Sequence, residues 1–368
     1  MKITGIRLRR LRFPLDPPFL AAWDPLARRS FEATLVLVET DEGLVGVGSG
    51  DTMDGFERWE GLFLGENALE IERHVRVLEA LAFQAGRFWP LEAALWDLAG
   101  KVEGVPAARL LGGALEGLPT YASCGVLAPP AERAESARAL QEAGFHALKL
   151  RIAPSRVEAG IATVRAVREA LGSSMDVIVD LNHGWRMPGD VAEPLPFEAV
   201  RRLAEELREL GVLWLEEPLP RHDVRGHAAL RETGIAVAGG EMAREPAELE
   251  RFLEADALDV YQPDAVLAVG LLRARELAER ALARGRRFTP HTWTNGIGLL
   301  ANLHLAAGVG GGPYLEYPYD PPGWTPERRD FMLTQPLRPD GGGFLRVPDR
   351  PGLGVELDEE ALRHFAVD

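Results

Sequence analysis

The chain has 368 residues, 46% hydrophobic and 26% charged, which is enough apolar material for a large core and unlike a disordered chain. Its 41 Lys plus Arg against 56 Asp plus Glu leave a formal charge of -15, which argues against a nucleic-acid or polyphosphate partner. One cysteine, Cys124, excludes an intrachain disulfide or zinc–thiolate cluster and fits a reducing cytoplasm, while the charged N-terminus and lack of 18 uninterrupted apolar residues predict neither signal peptide nor membrane span.

Residues 3–12 alternate and predict a strand, followed by a loop around Phe13–Trp23 that contains Pro and aromatic residues. Residues 32–49 predict a hairpin, with Asp41, Glu42 and Gly43 between two β-prone runs. Helical patterns follow near 67–84 and 90–102. Residues 1–115 therefore predict a small α+β domain.

The rhythm then changes. Helical stretches near 131–143, 156–171, 197–210, 223–233, 244–253, 269–284 and 298–308 alternate with short apolar runs. Such repetition predicts α/β architecture, either a parallel barrel or a doubly wound sheet, and the number of units favours a barrel. No GxGxxG follows the first strand, and the glycine-rich GVGGGP and DGGGF segments lack the Lys-Ser or Lys-Thr of a phosphate cradle.

Many of the apolar runs end in an ionisable residue. Lys149 and Arg151 follow Leu148; Asp180 follows VIV; Glu216 follows WL; Glu241 follows AVAGG. Asp264 lies in YQPD, His291 in TPH and Glu316 in YLE. In a barrel these positions converge at the C-terminal rim. Asp180, Glu216 and Glu241 offer hard oxygen ligands from consecutive strands, a set that suits Mg2+ and that would self-repel without a cation. Glu217 competes with Glu216, but alternation lets only one face the centre easily, and Glu216 is preferred.

Lys149 and Arg151, two residues apart, share a strand face. Lys149 is a general base if neighbouring cations depress its pKa; Arg151 does not readily lose its proton and instead tunes Lys149 or holds an anion. Asp264 precedes His291 by one βα unit, so it can fix the imidazole tautomer. His183 is a weaker competitor and a candidate for substrate contact. Cys124 reads as a buried hydrophobe.

In order and spacing, these strings resemble the enolase superfamily in its mandelate racemase/muconate lactonizing branch. The resemblance runs from the alternating N-terminal segment through ALWDLAGKVEGVPAARLLGG, KLR, DLN, EEP, GE, QPD, PH and LE. It implies a modified TIM barrel, (β/α)7β, over residues 116–320, covered by the N-terminal domain, with residues 321–368 returning to the cap. It implies Mg2+ on Asp180, Glu216 and Glu241, Lys149 as base on one face and the His291–Asp264 dyad on the other. Glu316 resembles the residue that hydrogen-bonds at the substrate carboxylate. Loops around Phe19–Trp23 and Asp51–Thr52 resemble those that select the distal end of the substrate.

Two features depart from the family pattern. Arg151 stands where many relatives have a second lysine. The loop between Asp180 and Glu216 is long, and its Trp185 and Arg186 either close over a polar substrate or belong to a surface insertion. The resemblance implies a small-molecule carboxylate substrate and a homo-oligomer. It leads to dehydration of an acid sugar, with Asn182, Arg186 and the polar run at 291–296 compatible with that substrate. Racemisation, epimerisation or cycloisomerisation of a carboxylate is the enzymatic alternative, and a non-catalytic binding protein on the same scaffold is the alternative of another class.

Overall fold

A computed structural model describes residues 1–50 and 53–367. The N-terminal part holds a three-stranded antiparallel sheet in the order β1 (Ile3–Phe19), β2 (Arg28–Thr40) and β3 (Val45–Gly50). It is followed by α1 (Ile71–Gln84), α2 (Trp89–Glu103) and the short α3 (Ala107–Leu110). Gly46 and Gly48 allow β3 to lie directly on α2: a Cβ at Gly48 would stand 2.0 Å from Pro90 O, and one at Gly46 2.2 Å from Ala94 O.

The predicted loop beginning at Phe13 is instead a continuation of β1, which pairs Pro14 with Ser30 and, after an irregularity, Phe19 with Arg28. The prolines that suggested a loop are accommodated because β1 is the edge strand of its sheet, and the C-terminal residues that bond its outer side do so at Arg10 and Arg12, before the first of them.

The larger part alternates regularly. It comprises β4 (Gly117–Ser123), α4 (Pro130–Glu142), β5 (Ala147–Arg151), α5 (Val157–Leu171), β6 (Asp176–Asp180) and α6 (Phe197–Glu209). It continues with β7 (Leu215–Glu216), α7 (Val224–Arg231), β8 (Val237–Gly239), α8 (Pro246–Glu254) and β9 (Val260–Tyr261). It then runs through α9 (Gly270–Ala283), β10 (Arg287–Phe288), α10 (Gly296–Val309) and β11 (Leu315–Pro318). The strands pair in parallel from β10 back to β4, and β11 pairs with β4. Across the remaining seam, Gly312 N donates to Phe288 O at 2.8 Å. The result is the curled parallel sheet of a (β/α)7β barrel, as expected.

Strand alternation separates two surfaces. Leu148, Leu150, Val177, Val179, Leu215 and Val237 join the core shared with the helices. Tyr121, Ala147, Ile178, Trp214, Ala238 and Val260 form a separate cluster, one from each of the strands β4, β5, β6, β8 and β9 and one immediately before β7. Two residues further along the chain stand Ser123, Lys149, Asp180, Glu216 and Gln262. The same periodicity that fills the barrel with apolar side chains thus puts polar ones on the next level.

The C-terminal segment includes α11 (Pro326–Arg329), β12 (Phe344–Arg346) and α12 (Glu359–His364). β12 pairs antiparallel with β4, while Arg12 N donates to Phe365 O at 2.8 Å and Val367 N to Arg10 O at 2.9 Å. Among the described residues no helix is long and apolar enough to cross a membrane.

Candidate active site

Asp180, Glu216 and Glu241 meet at the strand ends, each offering an oxygen within 4.8 Å of the others, and all three are buried. Asp180 ends β6 and Glu216 ends β7, whereas Glu241 lies two residues beyond β8, after Gly240 at φ 105°. Glu217 turns away: its φ is 44°, and its carboxyl packs so tightly on Gly184 that a Cβ there would stand 2.3 Å from Oε1.

Burial pushes the Asp180 pKa up, to about 8; Arg151 opposes the shift and Glu216 adds to it. Burial also raises Glu241, against the opposing charge of His291 and with Glu216 adding to the rise. Three buried carboxylates this close disfavour full ionisation, and a hard cation would relieve the repulsion. Glu241 Oε2 is buried with no hydrogen-bond partner, a free acceptor beside the other two ligand candidates. The donor set therefore fits a divalent ion.

Lys149 is fully buried. It hydrogen-bonds Glu216, and its Nζ lies 2.6 Å from Glu316 Oε1 and 3.6 Å from Asp180 Oδ2. Burial pulls its pKa down, but Glu216 and Glu316 more than offset this, so the net shift is upward. The expected depression by neighbouring cations is thus corrected: carboxylates, not cations, dominate around this amine.

Arg151 hydrogen-bonds Asp180, and its Nη1 donates to Asn182 Oδ1 at 3.0 Å. Its guanidinium lies 4.7 Å from the Trp23 ring centroid and 5.9 Å from that of Trp293. Trp23 also meets Phe19 and Trp293 edge-on, so the predicted pair Phe19 and Trp23 belongs to an aromatic cluster over Arg151. Asp51 and Thr52 lie outside the described residues.

His291 Nδ1 and Asp264 Oδ2 are 3.0 Å apart. Asp264 Oδ1 accepts from Val266 N at 2.8 Å, Leu267 N at 3.2 Å and Asn302 Nδ2 at 3.1 Å, so the carboxylate is held firmly. The Nδ1 proton therefore points at Asp264, leaving Nε2 3.9 Å from Glu241 Oε2. Burial lowers the His291 pKa, but Glu241 and Glu316 outweigh it and raise the value to about 9. Glu316 accepts from Thr292 N at 2.7 Å; burial favours its neutral form, yet Lys149 and His291 bring its pKa down to about 2.

Three of the candidate substrate residues engage partners within the protein. Asn182 Nδ2 bonds Asp180 at 3.3 Å, so both ends of its amide are engaged. Arg186 pairs with Asp190 at 2.9 Å, and Trp185 Nε1 donates to Glu241 Oε1 at 2.6 Å. The polar run after His291 is also largely committed. Trp293 Nε1 donates to Ser123 Oγ at 2.7 Å, and Asn295 Oδ1 caps α10 by accepting from Ile297 N and Gly298 N. His183 is buried with Nδ1 against Pro218 O at 3.1 Å, a structural placement.

Sequence reasoning missed Trp214 and Gln262 as supports of Glu216: their nitrogens reach Oε2 at 3.2 and 3.0 Å. The signal for Trp214 was available, since it precedes Glu216 by two and shares its strand face.

Residues 132–361 match the enolase C-terminal domain-like family. The chain is 32% identical to D-galactarolactone cycloisomerase of Agrobacterium fabrum, covering 99% of both chains. It is 30% identical to D-xylonate dehydratase of Haloferax volcanii, covering 91% of this chain and 85% of that protein. Among solved structures it resembles a racemase from Streptomyces coelicolor with bound magnesium (TM-score 0.84, 28% identity), covering 99% of this chain and 100% of that one. With the barrel, the cap sheet and the strand-end carboxylates in place, the chain belongs to the enolase superfamily, in its mandelate racemase/muconate lactonizing branch.

Proposed function

We propose that the protein removes the proton α to the carboxylate of a hydroxylated acid and expels the β-hydroxyl, converting an acid sugar to a 2-keto-3-deoxy acid. The observation that carries this reading is the His291–Asp264 pair, whose imidazole Nε2 faces the buried carboxylate triad. A magnesium ion on Asp180, Glu216 and Glu241 would supply positive charge opposite the oxygens on which negative charge develops.

The remaining roles fall to the chain itself. His291 in its protonated form, the imidazolium held by Asp264, donates a proton to the departing hydroxyl. Asp264 keeps Nδ1 occupied, so the transferred proton is the one on Nε2. Lys149 accepts the α-proton as the neutral amine; a cation on Glu216 and a proton on Glu316 would remove the charges that otherwise keep it protonated. Glu316, carrying a proton once substrate is bound, donates a hydrogen bond that holds the substrate carboxylate in register, and Arg151 keeps a permanent positive charge beside that carboxylate. Proton loss from carbon and departure of water leave an enol, which tautomerises to the keto acid.

Relatives named as dehydratases of talarate and galactarate, xylonate and arabinonate support the substrate class. A second reading, cycloisomerisation of a sugar lactone, is favoured by the end-to-end match to D-galactarolactone cycloisomerase. Incubation with Mg2+ and a panel of aldonic acids, aldaric acids and their lactones separates the two. Dehydration gives a keto-deoxy acid with loss of water; cycloisomerisation gives a product of unchanged mass. Absence of keto acid across the panel rejects the first reading.

A further inference from the structure

The segment between β6 and α6 has no regular structure, yet it is anchored where it leaves β6. His183 N donates to Glu217 O at 3.0 Å, and its Nδ1 bonds Pro218 O. Gly184 follows where only a hydrogen fits against the Glu217 carboxyl. Further on, the Arg186–Asp190 ion pair braces the loop. These anchors deliver the indole of Trp185 to Glu241, 56 residues away in sequence, where Nε1 donates to Oε1 at 2.6 Å.

The bond divides the two oxygens of a carboxylate that is 1% exposed. Oε1 is taken by the indole, while Oε2 is left buried and without a hydrogen-bond partner. An indole N–H donates and cannot accept, so it fixes the carboxylate without competing for a cation. Each of the other two ligand candidates also has dedicated donors: Asn182 N on Asp180 at 2.7 Å, and Trp214 and Gln262 on Glu216. Glu241 sits beyond the end of its strand, and Trp185 does for it what the ladder does for a residue within β6 or β7.

We infer that Trp185 is a positioning residue for the cation site, orienting Glu241 so that Oε2 faces the ion. The long loop is thereby an integral part of that site. The inference rests on the magnesium reading proposed above. Partners that orient ligand side chains are typically worth about 10–100-fold in metal affinity.

The test is calorimetric titration of metal-stripped protein with Mg2+, alongside the thermal midpoint of the metal-free form. Trp185→Phe is expected to bind Mg2+ about 10–100-fold more weakly while the metal-free midpoint stays at the wild-type value. Trp185→His, which restores a ring N–H donor, is expected to recover part of the affinity. Mg2+ should also change tryptophan emission in the wild type more than in Trp185→Phe. Wild-type affinity in Trp185→Phe overturns the inference. So does a Trp185→His variant that binds no better than Trp185→Phe, because the loss then reflects packing. If Trp185→Phe does not fold, Trp185→Leu, which also lacks the donor, takes its place in both comparisons. No Mg2+ binding by the wild type overturns the magnesium reading itself, a separate outcome.

Discussion

Two adjacent glutamates at the end of β7 have opposite fates because the backbone turns between them. Glu216 continues the inward-facing series below it, whereas Glu217 adopts φ 44° and buries its carboxyl against Gly184. Glu216→Gln is expected to weaken Mg2+ binding by at least about 10-fold in a calorimetric titration, since it removes a charged ligand. Glu217→Gln is expected to leave that affinity within about 3-fold of wild type, consistent with a side chain outside the ligand cluster. Equal losses in the two variants would contradict the assignment. The preference for Glu216 was legible because side-chain alternation is a local rule. The work of Asn182, Trp185 and Arg151 was not, because their partners come from other strands and loops.

The helices were legible in outline: the predicted stretch 197–210 matches α6 at Phe197–Glu209, and 269–284 matches α9 at Gly270–Ala283. Their 3.6-residue apolar repeat is written locally. The extension of β1 was not legible, since a proline is tolerated there only because that stretch lies on the edge of the sheet, past the bonds that the C-terminal residues make to Arg10 and Arg12. Buried histidine in α10 was also overlooked. His304 Nδ1 accepts from Ala108 N at 3.0 Å and its Nε2 donates to Leu353 O at 3.2 Å, tying α10 to α3 and to the C-terminal segment. This arrangement requires the neutral ring, and burial brings its pKa down to about 4, with the Leu353 carbonyl opposing. An unfolded histidine titrates near pH 6.5, so between about pH 6.5 and 4 the unfolded state binds the extra proton. Stability from this group is therefore complete above about pH 6.5 and declines as pH falls towards 4, by about 3 kcal/mol at most. Urea unfolding at pH 7 and pH 4.5 should show a smaller acid loss in His304→Asn than in wild type. An identical loss would contradict the tautomer assigned here.

Across the whole molecule, the cap and barrel meet through specific polar ties as well as apolar packing. Glu92 on α2 accepts from Leu271 N at 3.1 Å and Leu272 N at 2.7 Å at the start of α9, and Asn295 Nδ2 reaches Ser49 Oγ at 3.0 Å. The barrel brings residues from seven strand ends, Lys149 through Glu316, into one buried cluster, and the cap adds Trp23 over Arg151. Such convergence is what the repeating strand-end pattern implied, although its substrate is a matter of side-chain placement that repetition does not encode. In the function proposed, this cluster abstracts a proton α to a carboxylate with a divalent ion present. Proton NMR in D2O tests it, following the α-proton of aldonic acids, aldaric acids and their lactones with Mg2+, with chelator, and with His291→Asn. At least one acid should lose its α-proton signal, by exchange or by conversion to product, chelation should abolish the loss, and His291→Asn should slow formation of any dehydration product at least about 100-fold. Retention of every α-proton signal by folded, Mg2+-loaded wild-type protein, or undiminished turnover with chelator, would contradict it.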